Sequence, residues 1–266
     1  MSSYVIRGGV EGKARLGVIS EALEVSTAAL LDRAGLRRGM RCLDLGCGGG
    51  DVTLAMARVV GPTGAVVGID MDAVKVELAQ QDANTEGIRN VEFRRGEATE
   101  LDARDAYDLV YARLLLTHVP ARTMVLDRMI DAVKPGGAVV VEDLDHSAAF
   151  AYPSCPALDR WIPLYNAVSA RRGGDPEIGP KLVGMLRRAG LADVELAAVQ
   201  PAFVSGPAKR IHQITVENVR DAILREEMAT DEELEELAAE LEAFSADRET
   251  IVGFVRIYQV WGRRPR

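Results

Sequence analysis

Leu43-Asp44-Leu45-Gly46-Cys47-Gly48-Gly49-Gly50-Asp51 is the stretch on which the reading of this chain turns. An apolar run carrying an acid passes into four glycines, and the segment Thr53 to Val60 that follows has the texture of a short helix. Glycine reaches positive φ without strain and lets a ligand approach the backbone where a Cβ would stand. The helix start beyond it offers unpaired N–H groups and partial positive charge. Dinucleotide and nucleotide sites both use such a turn, so its internal spacing has to discriminate between them. A dinucleotide fingerprint needs Gly or Ala at the sixth position, where Asp51 stands and would oppose a pyrophosphate. A Walker A loop needs Gly-Lys-Ser/Thr, which is absent. The next strand ends in Val67-Gly68-Ile69-Asp70-Met71-Asp72. A carboxylate at that strand end accepts both hydroxyls of a ribose, and the lack of phosphate-binding chemistry points to a nucleoside.

Outward from the turn, short β-branched runs alternate with helical periodicity. Met40 to Leu45, Val66 to Ile69, Val91 to Phe93, Tyr107 to Tyr111 and Ala138 to Val141 read as strands. Thr53 to Val60, Asp72 to Glu86 and Ala121 to Val133 read as helices between them. This is an α/β chain with a doubly wound, mostly parallel sheet. Leu16, Ile19, Leu23, Leu30 and Leu31, closed by Gly35, form an upstream helical segment. After Asp145 come a proline-rich stretch, a helix over Ile178 to Ala189, a strand at Val194 to Val199 and a largely helical region from Ala208 to Ala246. A last strand is expected at Phe254 to Trp261, with Phe254, Arg256, Tyr258 and Val260 on one face. The expected organisation is a helical lid over 1–38, a ligand-binding core over 39–147, and cap helices interleaved with the last strands over 148–266.

From Arg41 to Leu144 the chain resembles the class I S-adenosylmethionine-dependent methyltransferases. Asp44-Leu45-Gly46-Cys47-Gly48-Gly49-Gly50 looks like that family's first motif. The resemblance implies that Asp44, Gly46, Cys47 and Gly48 surround the methionine and ribose of S-adenosyl-L-methionine, that Asp70 holds the ribose, and that Met71 lies beside the adenine. Asp44 as a simple anchor of the turn stays an equal alternative. Gly96-Glu97-Ala98 resembles the family's Gly-Asp-Ala, with Glu97 a departure whose longer arm reaches adenine differently. Tyr107 to Arg113 resembles the fourth strand, which sets Arg113 near the methionine end, and Lys134-Pro135-Gly136-Gly137 the turn into the fifth. The family's sheet has seven strands with the last antiparallel. Tyr4, Arg7 and Arg15 belong to the lid, with Tyr4 counted among the cofactor contacts.

Ligands bind beyond the carboxyl ends of strands in open α/β sheets. Glu142-Asp143-Leu144-Asp145-His146 ends the fifth strand and is expected to face the acceptor. His146 and Asp143 are therefore catalytic candidates, His146 as a base or equally as a loop histidine. His118, after the fourth strand, is a third candidate beside its alternative use as a helix cap. Trp161, Tyr165 and Tyr152 form either a wall for a planar acceptor or ordinary core. No metal set is seen, because Cys42 and Cys47 lack a completing His or Cys pair.

The 266 residues carry net charge −8, but the excess is local: nine acids and no base lie between Glu226 and Glu242. Leu234, Leu237, Leu241 and Phe244 at helical spacing make these acids the wet side of an amphipathic helix, with Thr230 and Glu233 as its capping box. Without a basic face a nucleic-acid partner is not expected. No apolar run reaches the length of a membrane span, and no basic-then-apolar leader opens the chain. Three cysteines suit a reducing, cytoplasmic setting. The expected function is methylation of a small organic acceptor, oxygen ahead of nitrogen and carbon, with a homodimer compatible. A non-methylating enzyme on the same scaffold is the alternative, and an NAD-dependent oxidoreductase a remote one.

Overall fold

The computed structural model describes residues 6–266. Strand β1 (Arg41–Leu45) lies inside the sheet, parallel to β2 (Ala65–Asp70) on one side and to β4 (Tyr107–Arg113) on the other. Beyond β2 runs β3 (Val91–Arg95), and beyond β4 runs β5 (Val133–Asp145), both parallel. Strand β10 (Arg256–Arg263) pairs antiparallel with β5 and with β7 (Ala192–Val199). The order is β3-β2-β1-β4-β5-β10-β7, seven strands with the last in sequence antiparallel, as the motif resemblance implies. Strand order reverses between β1 and β4, so the crevice for a ligand opens beyond the ends of those two strands.

The central strands are near-continuous apolar runs because helices cover both of their faces. Leu30, Leu31 and Ala34, with Met56 and Val60 of α2 (Asp51–Val60), pack on Leu109, Val140 and Trp261. Leu126 and Met129 of α4 (Arg122–Ala132) and Leu186 of α6 (Leu182–Arg188) pack on Val110, Val139 and Val141 from the other side. Helix α3 (Ala73–Thr85) sets Ala79 and Ala83 against Leu54 and Phe93. Its amino end is capped by Asp72, whose carboxylate accepts from the N–H groups of Val74 and Lys75. At Gly50, φ is +86° and a Cβ would lie 2.8 Å from both Ala79 Cβ and Phe93 Cζ, so the turn into α2 closes only with glycine there.

The upstream periodicity resolves into one helix, α1 (Gly9–Arg33), whose 25 residues run about 37 Å. Its first half crosses the carboxyl ends of the strands, with Leu16 and Lys13 against Gly48 and Gly49. Its second half is built into the sheet's face through Leu30 and Leu31.

The cap is made by α5 (Pro156–Arg171), α7 (Ile211–Arg225) and α8 (Asp231–Ala246) around Trp161, Tyr165, Val216, Val219, Leu234, Leu237 and Leu241. Helix α5 occupies the proline-rich stretch that periodicity alone leaves unassigned. Pro156 sits in its first turn, where no N–H is needed, and Pro163 is carried inside it. The capping box of α8 is present, with Glu233 N donating to Thr230 Oγ1 and Thr230 N donating to the Glu233 carboxylate. A small antiparallel sheet of β6 (Phe150–Tyr152), β9 (Ile251–Gly253) and β8 (Ala202–Phe203) joins cap to core. It takes up the chain just ahead of β10, so the long last strand begins at Arg256 and Phe254 falls in the break before it. No helix among the described residues is long and apolar enough to cross a membrane.

Candidate functional site

The backbone N–H groups of Gly46 and Cys47 both donate to Ile69 O, which carries the β1–β2 pairing into the glycine turn. Gly46 and Gly48 lie at φ +76° and +53°. Gly48 N then donates to Asp70 Oδ2 at 2.8 Å, while Asp70 Oδ1 accepts from Asp72 N at 2.9 Å. The Asp70 carboxylate is thus fixed between turn and strand end with two of its roughly four lone-pair directions still unused.

A cavity of about 800 Å³ opens at this carboxylate. Gly46, Asp70, Met71, Glu97, Ala98 and His118 line it, together with Arg7, Lys75, Asn218 and Asp221. Met71 presents an exposed apolar side chain at its mouth, a surface suited to the face of a planar base. A second cleft of about 30 Å³ adjoins it through Gly46 and is lined by Asp44, Cys47, Gly48, Tyr111 and Arg113 under Leu16. Asp44 is buried, and Thr53 Oγ1 donates to its Oδ2 at 2.6 Å. Burial pushes the Asp44 carboxyl up to about 6, against the pull of that bond and of Arg113. The same side chain therefore anchors the first turn of α2 and borders the cleft. Burial likewise holds the Cys47 thiol well above its ordinary range, beside Asp44 and Asp70, which leaves it un-ionised. Arg113 donates to Ser20 Oγ of α1.

The polar partners fit S-adenosyl-L-methionine. Asp70 keeps carboxylate lone pairs open at the large cavity, which Met71, Glu97 and Ala98 also line, and Gly46, Gly48 and Arg113 line the small cleft. Space in the small cleft is closed by α1, for a Cβ on Gly48 would lie 2.7 Å from Leu16 Cδ1. A cleft of about 30 Å³ holds one or two waters, so a methionyl tail requires Leu16 to move aside.

The run that ends β5 does not face an acceptor as expected. Glu142 is fully enclosed and takes three bonds inside the protein, from Tyr111 OH at 2.6 Å, Thr27 Oγ1 at 2.9 Å and Gln259 Nε2 at 2.8 Å. Asp143 is also fully enclosed, accepting from the N–H groups of Leu144 and Thr117, with burial pushing its carboxyl up to about 7. The physical reason is that β5 runs on to Asp145 as an interior strand between β4 and β10. Asp143 instead ties the strand end to the loop that carries His118. His146 lies under α5, its ring 4.2 Å from that of Tyr165 and 6.2 Å from that of Trp161, and burial pushes its imidazole down to about 3. Neither Asp143 nor His146 lines the two cavities, whereas His118 does. Trp161 and Tyr165 are core of the cap, and Tyr152 is exposed. Tyr4 lies outside the described residues. Sequence reasoning missed Asn218 and Asp221 on the wall, because helical spacing in α7 gives no sign of which polar residues look inward.

His212 is buried on α7 with Nε2 3.1 Å from Gly253 O, and desolvation pushes its imidazole down to about 4. The unfolded chain then binds the extra proton between about pH 6.5 and 4, so this residue's contribution is present above 6.5 and lost as pH falls toward 4. Over that window the loss amounts to about 3 kcal/mol. His212→Gln keeps an amide for the Gly253 carbonyl but cannot titrate. Urea unfolding from pH 7 to 5 is expected to show a shallower acid-side loss of stability in the variant; an unchanged slope contradicts this account of His212.

A methyltransferase-domain family model matches residues 36–176. A demethylmenaquinone methyltransferase of Staphylococcus aureus is 35% identical over 132 residues, 49% of this chain and 52% of that one. The chain thus spans about half the length of the curated relatives it matches. Among solved structures, the YcgJ protein of a Bacillus aligns over 91% of this chain and 99% of its own, with TM-score 0.62 and 19% identity. A [4+2]-cyclase aligns over 90% and 80%, with TM-score 0.55 and 21% identity. Likeness at those identities establishes the shared fold. With a family model that spans the glycine turn, Asp70 and the whole run to β5, the chain belongs to the methyltransferase-domain family.

Proposed function

We propose that this protein transfers a methyl group from S-adenosyl-L-methionine to a small organic acceptor, oxygen being the first candidate atom ahead of nitrogen and carbon. The observation that carries the reading is the Asp70 carboxylate, held by Gly48 N and Asp72 N at the edge of the large cavity beside Met71 and Glu97. When bound, the cofactor supplies a methyl group already activated by its sulfonium. The protein's work is then mainly to hold an acceptor in line with that methyl, and such positioning lowers a barrier by about 7–11 kcal/mol. Asp70 would hold the ribose, Glu97 and Ala98 the base, and Gly46, Gly48 and Arg113 the methionyl end. Leu16 and the first half of α1 would shut water out once the tail is seated.

Of the named catalytic candidates, His118 is the one on the cavity wall. Burial pushes its imidazole down to about 3, with Arg15 and Lys75 adding to that, so it is neutral at pH 7 and a weak base, fitted to orient an acceptor by a hydrogen bond rather than to carry its proton. His146 and Asp143 line neither cavity, and Asp143 would act by positioning the His118 loop. The size of the acceptor follows from the cap, since α7 forms one side of the cavity and leaves a small molecule's volume. The test is incubation with S-adenosylmethionine and a panel of hydroxylated, amine and enol acceptors, following S-adenosylhomocysteine. Cofactor conversion with at least one acceptor supports the reading. Tight cofactor binding without conversion by any acceptor favours the non-methylating alternative, and binding of NAD in its place overturns the reading.

A further inference from the structure

The carboxylate of Asp72 serves the starts of two helices. Its Oδ1 accepts from Val74 N at 3.0 Å and Lys75 N at 3.2 Å in the first turn of α3, and its Oδ2 accepts from Gly9 N, where α1 begins, at 2.7 Å. Open N–H groups and the positive end of the helix dipole both favour an acid at such a place, and here two helix starts converge on one. The chain just ahead of α1 is held on the other side by α7. Arg7 N donates to Asn218 O at 3.0 Å, and Arg7 Nε and Nη2 donate to the Asp221 carboxylate at 3.3 and 3.2 Å. Ile6 is buried in the cap cluster with Val219 and Ala222. Ile6, Arg7 and Gly8 line the large cavity, as do Met71 and Asp221. Residues 6–9 are therefore a strap tied to two walls of the cavity, and its sheet-side tie stands two residues from Asp70.

This strap is built to let go at Asp72 rather than at α7. Gly9, at φ +65°, and Gly12 both fall in the first turn of α1, which makes that turn a weak piece of helix. Val10 between them is 67% exposed, so little burial holds the turn down. Beyond it the helix is fixed, with Lys13 paired to Asp82 and Leu16 against Gly48. Fraying as far as Lys13 would release residues 9–12 as slack, each spanning about 3.5 Å when extended, while Ile6 stays in the cap. At Gly8 a Cβ would stand 2.6 Å from Asp72 Oδ2, the oxygen that holds Gly9 N, so the tie closes as it does only over glycine.

Resting on the methyl-transfer reading, we propose that residues 6–9 are the gate through which S-adenosylmethionine enters and S-adenosylhomocysteine leaves, and that the Asp72 carboxylate is its latch. A nucleoside seated on Asp70 beside Met71 would lie under the strap, and exchange at that mouth waits for Gly9 N to leave Asp72. Opening steps and product release set the turnover of many enzymes. Such a latch governs exchange in both directions without touching the bound nucleoside, which separates it from a binding residue.

The test uses Gly8→Ala, which sets a methyl group against the latch oxygen while keeping every charge and the α3 cap. The backbone at this position, φ −86° and ψ −165°, is open to alanine. The dissociation rate is read by chasing radiolabelled S-adenosylhomocysteine off the protein with unlabelled compound, and the Kd by calorimetry. The variant is expected to release about tenfold faster, as for the loss of one hydrogen bond to a charged acceptor. Its Kd stays close to that of the parent, so association quickens with dissociation. Arg7→Met removes the partly exposed ion pair at α7 and is expected to release about threefold faster; it serves alone if the alanine variant does not fold. Unchanged release in a folded variant, or affinity lost in step with the faster release, overturns the gate alone. Failure of the parent protein to bind S-adenosylhomocysteine falls on the methyl-transfer reading and takes the gate with it, so the two failures are told apart.

Discussion

Asp70→Ala lowers the affinity for S-adenosylhomocysteine by about 100-fold, with little loss of fold. On the proposed reading the carboxylate accepts two ribose hydroxyls, and hydrogen bonds to a charged acceptor contribute about 1.5–3 kcal/mol each. Together they amount to at least about 3 kcal/mol, or two powers of ten in the dissociation constant. A further share comes from Gly48 N, which loses the partner that sets the turn at its φ of +53°. The strand behind Asp70 is held independently by parallel pairing to β1 and β3, which is why stability is largely spared. Asp70→Asn keeps one carbonyl oxygen and falls between parent and alanine variant, at about a tenfold loss. Titration calorimetry reads both values, and an alanine variant within threefold of the parent contradicts the ribose role.

Glu142→Ala gives the largest expected loss of stability. The carboxylate is fully buried, and its removal leaves Tyr111 OH, Thr27 Oγ1 and the Gln259 amide without their acceptor in a space closed to water. Each orphaned donor costs about 1–3 kcal/mol, so the sum is about 4 kcal/mol once some relaxation is allowed. In a chain of this size that lowers the melting temperature by about 10 °C. The three donors sit on α1, β4 and β10, so one side chain fastens the long helix to the middle and the far side of the sheet. Tyr111 also borders the small cleft, and the variant is expected to bind S-adenosylhomocysteine more weakly as α1 loosens. Glu142→Gln retains one acceptor oxygen and loses less. Thermal unfolding of the two variants checks the order, and an alanine variant within 2 °C of the parent contradicts it.

The core of the fold was legible because its signals are local. Strand periodicity, the glycine turn, the Asp72 cap and the Thr230–Glu233 box each depend on a few neighbouring residues, and each appears where those residues stand. The motif resemblance supplied seven strands with the last antiparallel but not the reversal of strand order that opens the crevice, since pairing between Cys42 and Leu109 has no trace in either segment alone. Helix α5 was obscured by its prolines, which mark loops by base rate but here occupy a first turn and one interior position.

Within the candidate site, residues named for their place at strand ends near the glycine turn line the cavities, Asp70, Met71 and Gly46 among them. Residues named by extrapolating the same rule to β5 do not. Strand β5 runs on between two neighbours, so the alternation that normally aims a strand-end acid at solvent aims Glu142 at Tyr111 and Thr27 instead. Whether a strand stops or continues past the sheet's edge depends on what lies beside it, and β10 is more than a hundred residues away in the chain.

The most direct measurement is a crystal structure of the complex with S-adenosylhomocysteine. The account predicts the ribose hydroxyls on Asp70 at about 2.7 Å, the base beside Met71 and Glu97, and Leu16 displaced from Gly48 by the homocysteine tail. A nucleoside bound elsewhere, or an Asp70 carboxylate turned from the sugar, contradicts it.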